Sequence, residues 1–463
     1  MSEAVKDWHG RRAVVLGLAR QGKALARYLN AQGAEVVVSD VKPAEALQSE
    51  LEELSDLSLS YELSGHPLGM LEGTDTLFLS GGVPADLEIV AHARELGIRI
   101  ANDAQLFLER TPARVVGITG SAGKTTTTSL VAEMANLGFE ASDKQVWLGG
   151  NIGFPLISSI DEMGSEDLAV MELSSFQLEI MTCSPPVAAL LNLAPDHLDR
   201  HGDMQSYRAA KARILEFQSH QDIAVLNCSD PLTWELQPMV KGRLFAFGLD
   251  LAAGFQGGYI EAGELKLRIE DEEIHVCSQD EIALPGQHNQ MNVLAAALLS
   301  AIVGVPFEAI RQIARTFRGV PHRLEHVRSV AGADWYNDSI ATTPDRAIAA
   351  IQAFHKPLVL LAGGRDKDLD WDRFAEIVHQ QVRVIILFGE AAGKIEQALI
   401  KNRISESQLV IKKAETLESA VAKAKSSVEA GDVVLLSPGG TSFDEFVNYE
   451  ARGEEFRRMV REI

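Results

Sequence analysis

A lysine and two threonines stand directly behind a glycine-rich turn in the segment Arg114-Val-Val-Gly-Ile-Thr-Gly-Ser-Ala-Gly-Lys-Thr-Thr126. An apolar β-branched run enters the turn, and a helical pattern leaves it. Such a turn aims backbone N–H groups at phosphate oxygens. Here Gly120, Ser121 and Gly123 form the cradle, and Lys124 adds a compact positive charge. Thr125 offers a hydroxyl to a magnesium ion, with Thr126 beside it. The strict phosphate-loop pattern asks for glycine at 118, where Ile118 stands one place after Gly117. The chemistry expected is the handling of a nucleoside triphosphate. Glu172 ends the apolar run Leu168-Ala-Val-Met171, and a carboxylate at a strand tip near a phosphate loop suits magnesium. His197 follows a further apolar run and could reach the same region. Asn289 and Asn292 lie three apart on one helix face, suited to an adenine edge or a ribose. Arg323 and Asp338 could close over the triphosphate. Phosphoryl transfer depends on such positioning and on electrostatic stabilisation. Lys211, within the helical pattern from Tyr207 to Phe217, reads by itself as an ordinary solvated lysine.

Alternating strands and helices must position these groups. Arg12-Ala-Val-Val-Leu16 reads as a strand and Gly17-Leu-Ala-Arg-Gln-Gly22 as a glycine turn. Lys23 to Gln32 has helical spacing, and Glu35-Val-Val-Val-Ser-Asp40 is the next strand. This β-α-β unit resembles half of a dinucleotide site, with Gly-x-Ala-x-x-Gly in place of Gly-x-Gly-x-x-Gly. Asp40 could accept from ribose or base groups, although the turn would equally serve tight helix packing. A strand at Thr76-Leu-Phe-Leu-Ser80 runs into Gly81-Gly82. In the middle segment, Val187 to Leu193 reads as a strand, and residues 227–282 read as a small β insertion. The last segment alternates again, with strands Leu358 to Leu361, Val382 to Phe388 and Val433 to Leu436, each followed by polar or glycine residues. Ligands of open α/β sheets sit at those strand ends. The expectation is an α/β protein of three domains. These are a Rossmann-like domain at 1–102, a central ATPase-like phosphate-loop domain at 103–318 and a Rossmann-like domain at 319–463.

Composition bounds the class. The 463 residues are too many for one core, and 46% hydrophobic with 23% charged residues is ordinary for globular chains. A net charge of -22 argues against a general nucleic-acid or membrane-surface binder. Cys183, Cys228 and Cys277 have no metal-knuckle spacing and read as reduced thiols of a cytoplasmic protein. No signal core is evident at the start, and no run of ~18 apolar residues suggests a membrane span.

The chain resembles the ATP-dependent Mur ligases of bacterial cell-wall synthesis, in particular the branch that adds glutamate to UDP-N-acetylmuramoyl-L-alanine. The markers run in order through Gly120-Ser-Ala-Gly-Lys-Thr-Thr126, Gly149-Gly-Asn-Ile-Gly153, Glu172-Leu-Ser-Ser-Phe-Gln-Leu-Glu179 and Asp196-His-Leu-Asp-Arg200. They continue in Tyr207-Arg-Ala-Ala-Lys211, Leu284-Pro-Gly-Gln-His-Asn289, Pro321-His-Arg323, Asn337-Asp-Ser339 and Gly364-Arg-Asp-Lys367. The resemblance implies that ATP phosphorylates the substrate carboxylate and that the amine of an amino acid attacks the acyl phosphate. ADP and phosphate are released, in a step serving peptidoglycan synthesis and hence cell shape and division. It implies that Lys124 binds the β- and γ-phosphates, that Thr125 and Glu172 hold a first magnesium and that His197 serves a second. Lys211 matches a lysine carrying a carbamate, which supplies oxygen to a hard metal. Asn289, Asn292, Arg323 and Asp338 match ATP contacts. Asp196, Thr342, Lys367, Ser442 and Tyr449 align with the glutamate side, and Arg20, Gln21, Asp40, Gly82 and Asn151 with the UDP-sugar side. The partners implied are these small molecules, with no nucleic acid, and a monomer is expected.

The chain departs from the pattern in places. Ala122 stands where asparagine is usual, Ile340 where lysine is expected, Gly439 and Gly440 where small alanines are common, and Tyr449 where phenylalanine is typical. Several of these lie near the amino-acid side, so D-glutamate, L-glutamate and other amino acids stay open. A nicotinamide-dependent oxidoreductase, suggested by Gly17 to Asp40 alone, is the alternative of another class. It leaves Lys124 and Glu172 without a role.

Overall fold

The computed structural model describes residues 7–252, 254–270, 272–284, 286–354, 356–366, 369–404 and 407–463. By packing, the chain divides into two compact units, Met1–Phe317 and Arg318–Ile463.

The first unit holds two sheets. Five parallel strands form the first, in the spatial order Leu59–Leu63, Glu35–Asp40, Arg12–Leu16, Thr76–Leu79, Arg99–Ala101. Chain order reverses between Arg12–Leu16 and Thr76–Leu79, which opens a crevice at their C-terminal ends. Gly17 and the Ser80-Gly81 turn face that crevice. The helix Arg20–Ala31 begins three residues before the expected start, because Gly22 lies inside it. A Cβ on Gly22 would stand 1.8 Å from the Gly17 carbonyl oxygen, so only glycine lets the helix approach the turn this closely.

Nine strands form the central sheet. In order they are Glu272–Ser278, Glu264–Ile269, Gly257–Glu261, Arg243–Phe247, Ile223–Asn227, Val187–Leu190, Arg114–Thr119, Leu168–Glu172 and Val146–Gly150. The stretch read as a small β insertion continues this sheet at its edge. Gly257–Glu261 pairs parallel with Arg243–Phe247, and the last two strands add antiparallel at the edge. A Cβ on Gly257 would lie 1.7 Å from the Ala246 carbonyl oxygen, and this close approach makes the junction. Val187–Leu190 is shorter than the expected strand, since Asn192 has turned toward the phosphate loop.

Alternation along the strands sorts side chains to the two faces. Val116, Ile118, Leu168 and Val170 join the core beneath the helices Lys124–Phe139 and Gln287–Ile302. Val115, Ala169 and Met171 face the other way. They share one continuous core with Val15, Leu29, Phe78 and Phe107 of the first sheet. The first two sheets are thus packed through common apolar side chains. Among the described residues, no helix is long and apolar enough to cross a membrane.

The second unit is a six-stranded sheet in the order Glu325–Val330, Ala333–Asn337, Val433–Gly439, Leu358–Gly363, Val382–Phe388, Val410–Lys413. Only the first pair is antiparallel. Leu358 and Leu360 face one core and Val359 and Leu361 the other, so helices cover both sides.

Candidate active site

The strand Arg114–Thr119 delivers the chain to the glycine turn, and Gly123 starts the helix Lys124–Phe139 with φ +83°. A Cβ at Gly123 would lie 2.2 Å from Asn292 Oδ1, so glycine answers both the backbone conformation and the close approach. Lys124 Nζ folds back over the turn, donating to the carbonyl oxygens of Gly120 at 2.8 Å and Ser121 at 3.1 Å. The turn is tied on its far side by Asn192, whose Oδ1 accepts from Ala122 N at 2.8 Å and whose Nδ2 donates to Ala122 O at 3.0 Å. Those two bonds go to the Ala122 backbone and do not depend on its side chain, so alanine at this departure leaves them intact. Ser121 Oγ donates to Ala194 O at 2.9 Å and lies 3.0 Å from the Tyr207 hydroxyl. Its side chain thus joins the loop to two other elements.

Glu172 is buried at the tip of its strand. Its Oε2 accepts from Thr125 Oγ1 at 2.8 Å and its Oε1 from Asn151 Nδ2 at 2.7 Å. Both hydrogen bonds come from neutral groups, a hydroxyl and an amide, and carboxylate oxygens at this place suit a hard divalent ion. Asn151, expected on the sugar side, therefore donates to the Glu172 carboxylate. The Ser174–Gln177 capping box then starts the helix Ser175–Ile180, which fixes where Phe176 and Gln177 point.

Lys211 sits on the helix Met204–Glu216, capped by Asp203. Contrary to the bland reading of a helix lysine, it is 1% exposed. Its Nζ donates to Gly120 O at 2.9 Å and Thr119 Oγ1 at 3.3 Å, and lies 4.9 Å from the centre of the Tyr207 ring. Burial first, and then the charge of Lys124, push its pKa down to about 7. An amine neutral near physiological pH is nucleophilic.

His197 has φ +52° and packs 5.2 Å, centre to centre, from Phe176. Phe176 also stacks on His201, 5.0 Å away. Asp196 Oδ2 is 3.5 Å from His197 Nε2, and both side chains are about half exposed. Among the described residues no group of three or more histidine, cysteine or carboxylate side chains converges to form a metal site. Thr125, Glu172 and Lys211 surround one turn, and the charge of Asp196, on the neighbouring loop with His197, also acts on Lys211. Asn292 and Asn289 are linked, Asn292 Nδ2 donating to Asn289 Oδ1 at 3.1 Å, and Thr127 Oγ1 meets Asn292 Oδ1 at 3.4 Å.

At the crevice of the first sheet, Asp40 Oδ2 accepts from Leu18 N at 2.8 Å and Oδ1 from Lys42 N at 3.0 Å. Gln21 Oε1 accepts from Gly81 N at 2.7 Å, bracing the loop that carries Gly82. Arg20 is exposed in the first turn of its helix. A narrow cleft runs from Ser80 and Gly81 past Asn102 and Gln177 to Phe176 and Arg200. Asn102 and Gln177 were not singled out from sequence, although the Asn102 cap before an apolar helix was a readable signal.

In the second unit, Asp338 is buried at the end of the strand Ala333–Asn337. Its Oδ2 accepts from Ser437 Oγ at 2.8 Å and its Oδ1 from Leu324 N at 3.2 Å. Burial lifts its pKa to about 7 against the opposing pull of Arg323 and Arg346. Arg323 is carried by a tight turn in which His322 has φ +63° and Leu324 φ +43°. Tyr449 opens the helix Tyr449–Glu462 and meets His322 edge to face at 6.2 Å. Ser442 is buried, and Thr342 lies just before the helix Pro344–Gln352. Lys367 lies outside the described residues. The glycine departures have packing causes. Gly439 has φ +69° and its Cβ would strike the Trp371 ring at 2.8 Å, while a Cβ on Gly440 would lie 2.5 Å from Gly363 O. Arg452 was missed. It is 1% exposed and donates to the carbonyl oxygens of Ser339 and Gly440, joining the two loops that carry Asp338 and Ser442.

Residues 11–102 match the Mur ligase MurD-like N-terminal domain, 118–300 the Mur ligase middle domain, and 322–440 the Mur ligase glutamate ligase domain. A UDP-N-acetylmuramoylalanine--D-glutamate ligase of Thermoanaerobacter sp. (strain X514) is 39% identical over 455 residues, covering 98% of this chain and 99% of that protein. The protein of the same name from Acetivibrio thermocellus is 37% identical over 466 residues, covering 100% and 99%. Among solved structures, MurF from Acinetobacter baumannii superposes with a TM-score of 0.51 at 17% identity, covering 96% of this chain and 93% of that one. MurC from Thermotoga maritima gives 0.50 at 21% identity, covering 98% and 100%. These structural likenesses concern the fold. With the middle-domain match spanning the phosphate loop, Glu172 and Lys211, and with relatives aligned end to end, the chain belongs to the Mur ligase family.

Proposed function

We propose that this chain is an ATP-dependent amide ligase that adds D-glutamate to UDP-N-acetylmuramoyl-L-alanine through an acyl phosphate, releasing ADP and phosphate. The single observation that carries the reading is the convergence of Lys124, the Thr125–Glu172 pair and buried Lys211 on one glycine turn. It lies in a chain whose relatives bear that enzyme's name over their whole length. The carboxylate oxygen attacks the γ-phosphorus and ADP leaves. The glutamate amine then attacks the acyl carbon, phosphate leaves, and the amine gives up a proton. Both partners of the first step are anions. Lys124 and the turn's N–H groups lower that repulsion by holding the β- and γ-phosphates. A magnesium ion on Thr125 and Glu172 would neutralise further phosphate charge.

The finer assignments belong to the same proposal. Gly120, Ser121, Gly123, Thr126, Asn289, Asn292, Arg323 and Asp338 serve the nucleotide. Arg20, Gln21, Asp40, Gly82 and Asn151 serve the UDP-sugar. Asp196, Thr342, Lys367, Ser442 and Tyr449 serve the amino acid. Segment 1–102 takes chiefly the UDP-linked substrate, 103–318 the ATP and 319–463 the amino acid, in a monomer acting in the cytoplasm. Lys211 as a carbamate, with His197, would hold a second ion. Its neutral Nζ adds to the carbon of CO2, one C–O π bond opens, and a proton is lost.

Phosphate release with UDP-N-acetylmuramoyl-L-alanine and D-glutamate, L-glutamate or other amino acids in parallel tests the reaction and its handedness. Turnover with D-glutamate is expected, and Lys124→Ala should abolish it in a protein that still folds. Wild-type turnover in that variant sinks the assignment. Lys211→Ala should be inactive and partly restored by small carboxylates. Full activity without them rules out the carbamate.

A further inference from the structure

His66 lies beside Asp40 at the C-terminal end of the first sheet. Leu63 pairs with Asp40, and Gly65 N donates to Asp40 O at 3.1 Å, so the turn after Leu59–Leu63 is pinned to the tip of the neighbouring strand. Ser39 on that neighbour is fully buried, with Oγ 3.0 Å from Gly65 O and 2.7 Å from His66 Nδ1. A hydroxyl has one proton, and a carbonyl oxygen only accepts. Both contacts are hydrogen bonds only if Ser39 donates to Gly65 and Nδ1–H donates to Ser39. That choice sets the ring tautomer and leaves a lone pair on Nε2. Among the described residues Nε2 makes no hydrogen bond. Burial lowers the ring's pKa, outweighing the opposing charge of Asp40, so the neutral ring dominates at neutral pH. The glycine turn, the Asp40 carboxylate and the His66 acceptor stand at the ends of three adjacent parallel strands, where open α/β sheets take nucleotides.

We propose that His66 reads the nucleobase of the UDP-linked substrate, its Nε2 accepting the imide N3–H of uracil. The inference rests on the reading that the first segment takes the UDP moiety. Cytosine presents a lone pair at N3, which would meet the lone pair of Nε2. Discrimination then comes from one lost bond and one repulsion.

Calorimetric titration of the full chain with UDP, CDP and N3-methyl-UDP tests this. The wild-type protein should prefer UDP over both others by about tenfold or more. His66→Leu should bind the three alike. It should raise the KM for the UDP-precursor and leave kcat and the KM for ATP unchanged. Ser39→Ala, which frees the tautomer, should shrink the UDP preference. A purely structural role for His66 would weaken all three nucleotides equally and preserve the ratio, and that result overturns the proposal. So does equal wild-type affinity for UDP and N3-methyl-UDP, a comparison that needs no variant to fold. Failure of the wild-type chain to bind any uridine nucleotide would instead overturn the assignment of the first segment, and this inference with it.

Discussion

Lys211 is a lysine 1% exposed whose hydrogen-bond partners are a carbonyl and a hydroxyl. Burying an ammonium without a carboxylate in contact costs stability. The depressed pKa, about 7 against about 10.4 in an unfolded chain, expresses that cost. Between those two values the unfolded chain holds more protons than the folded one, so stability rises with pH across that window. Below about pH 7 both states are protonated and the full penalty applies. Lys211→Met keeps the volume and removes the charge. It should melt at a higher temperature than the wild type at pH 6–7, with the gap closing toward pH 10, and have no ligase activity. Melting temperatures that respond to pH identically in the two proteins would show that Lys211 stays protonated at no cost. By its local pattern alone this residue was indistinguishable from a surface lysine, because nothing local marks which helix face meets the phosphate loop; only the resemblance pointed to it. Lys124, Thr125 and Glu172 were legible because a turn and a strand tip hold them at fixed offsets. Asn192, Tyr207 and Arg452 were not, since each acts on a loop brought near by strand order.

Element geometry was read well where one period dominated. Arg12–Leu16, Glu35–Asp40 and Val382–Phe388 run as their apolar patterns indicated. The pattern failed where pairing depends on distant partners. Gly257–Glu261 looked like part of an insertion because short, glycine-rich, charged text does not reveal that Ala246 and Phe247 lie alongside. The helix Arg20–Ala31 was placed too late because Gly22 reads locally as part of a turn. The two glycines of the nucleotide-side loops make a sharp contrast. Gly22→Ala would place a carbon 1.8 Å from Gly17 O, so helix or turn must shift. A destabilisation of about 3 kcal/mol or more is expected, read as a fall in denaturation midpoint. A Cβ on Gly82 meets nothing within 4 Å. Gly82→Ala should leave stability within about 0.5 kcal/mol and act, if at all, on the KM for the UDP-precursor. Equal stability losses in the two variants would contradict the packing described for the glycine turn.

At the scale of the whole molecule, what matters is which parts share a core. The first and central sheets share one, running from Val15 and Phe78 through Phe107 to Met171 and Tyr207. The second unit has its own two cores, one on each face of its sheet. Cooperative unfolding follows shared burial, so residues 1–317 should melt as one body although they contain two sheets. A protein comprising residues 1–317 should therefore fold, show a single thermal transition and bind UDP as tightly as the full chain. Arg323 and Asp338 lie in the second unit and are assigned to the nucleotide. The shortened protein should accordingly bind ATP more weakly and release no phosphate with the precursor and glutamate. Two separate transitions within 1–317 would mean that the common core does not couple its sheets. Undiminished ligase turnover by 1–317 would show that no residue of the second unit takes part in the reaction, and the roles given to Arg323, Asp338, Thr342, Ser442 and Tyr449 would fall together.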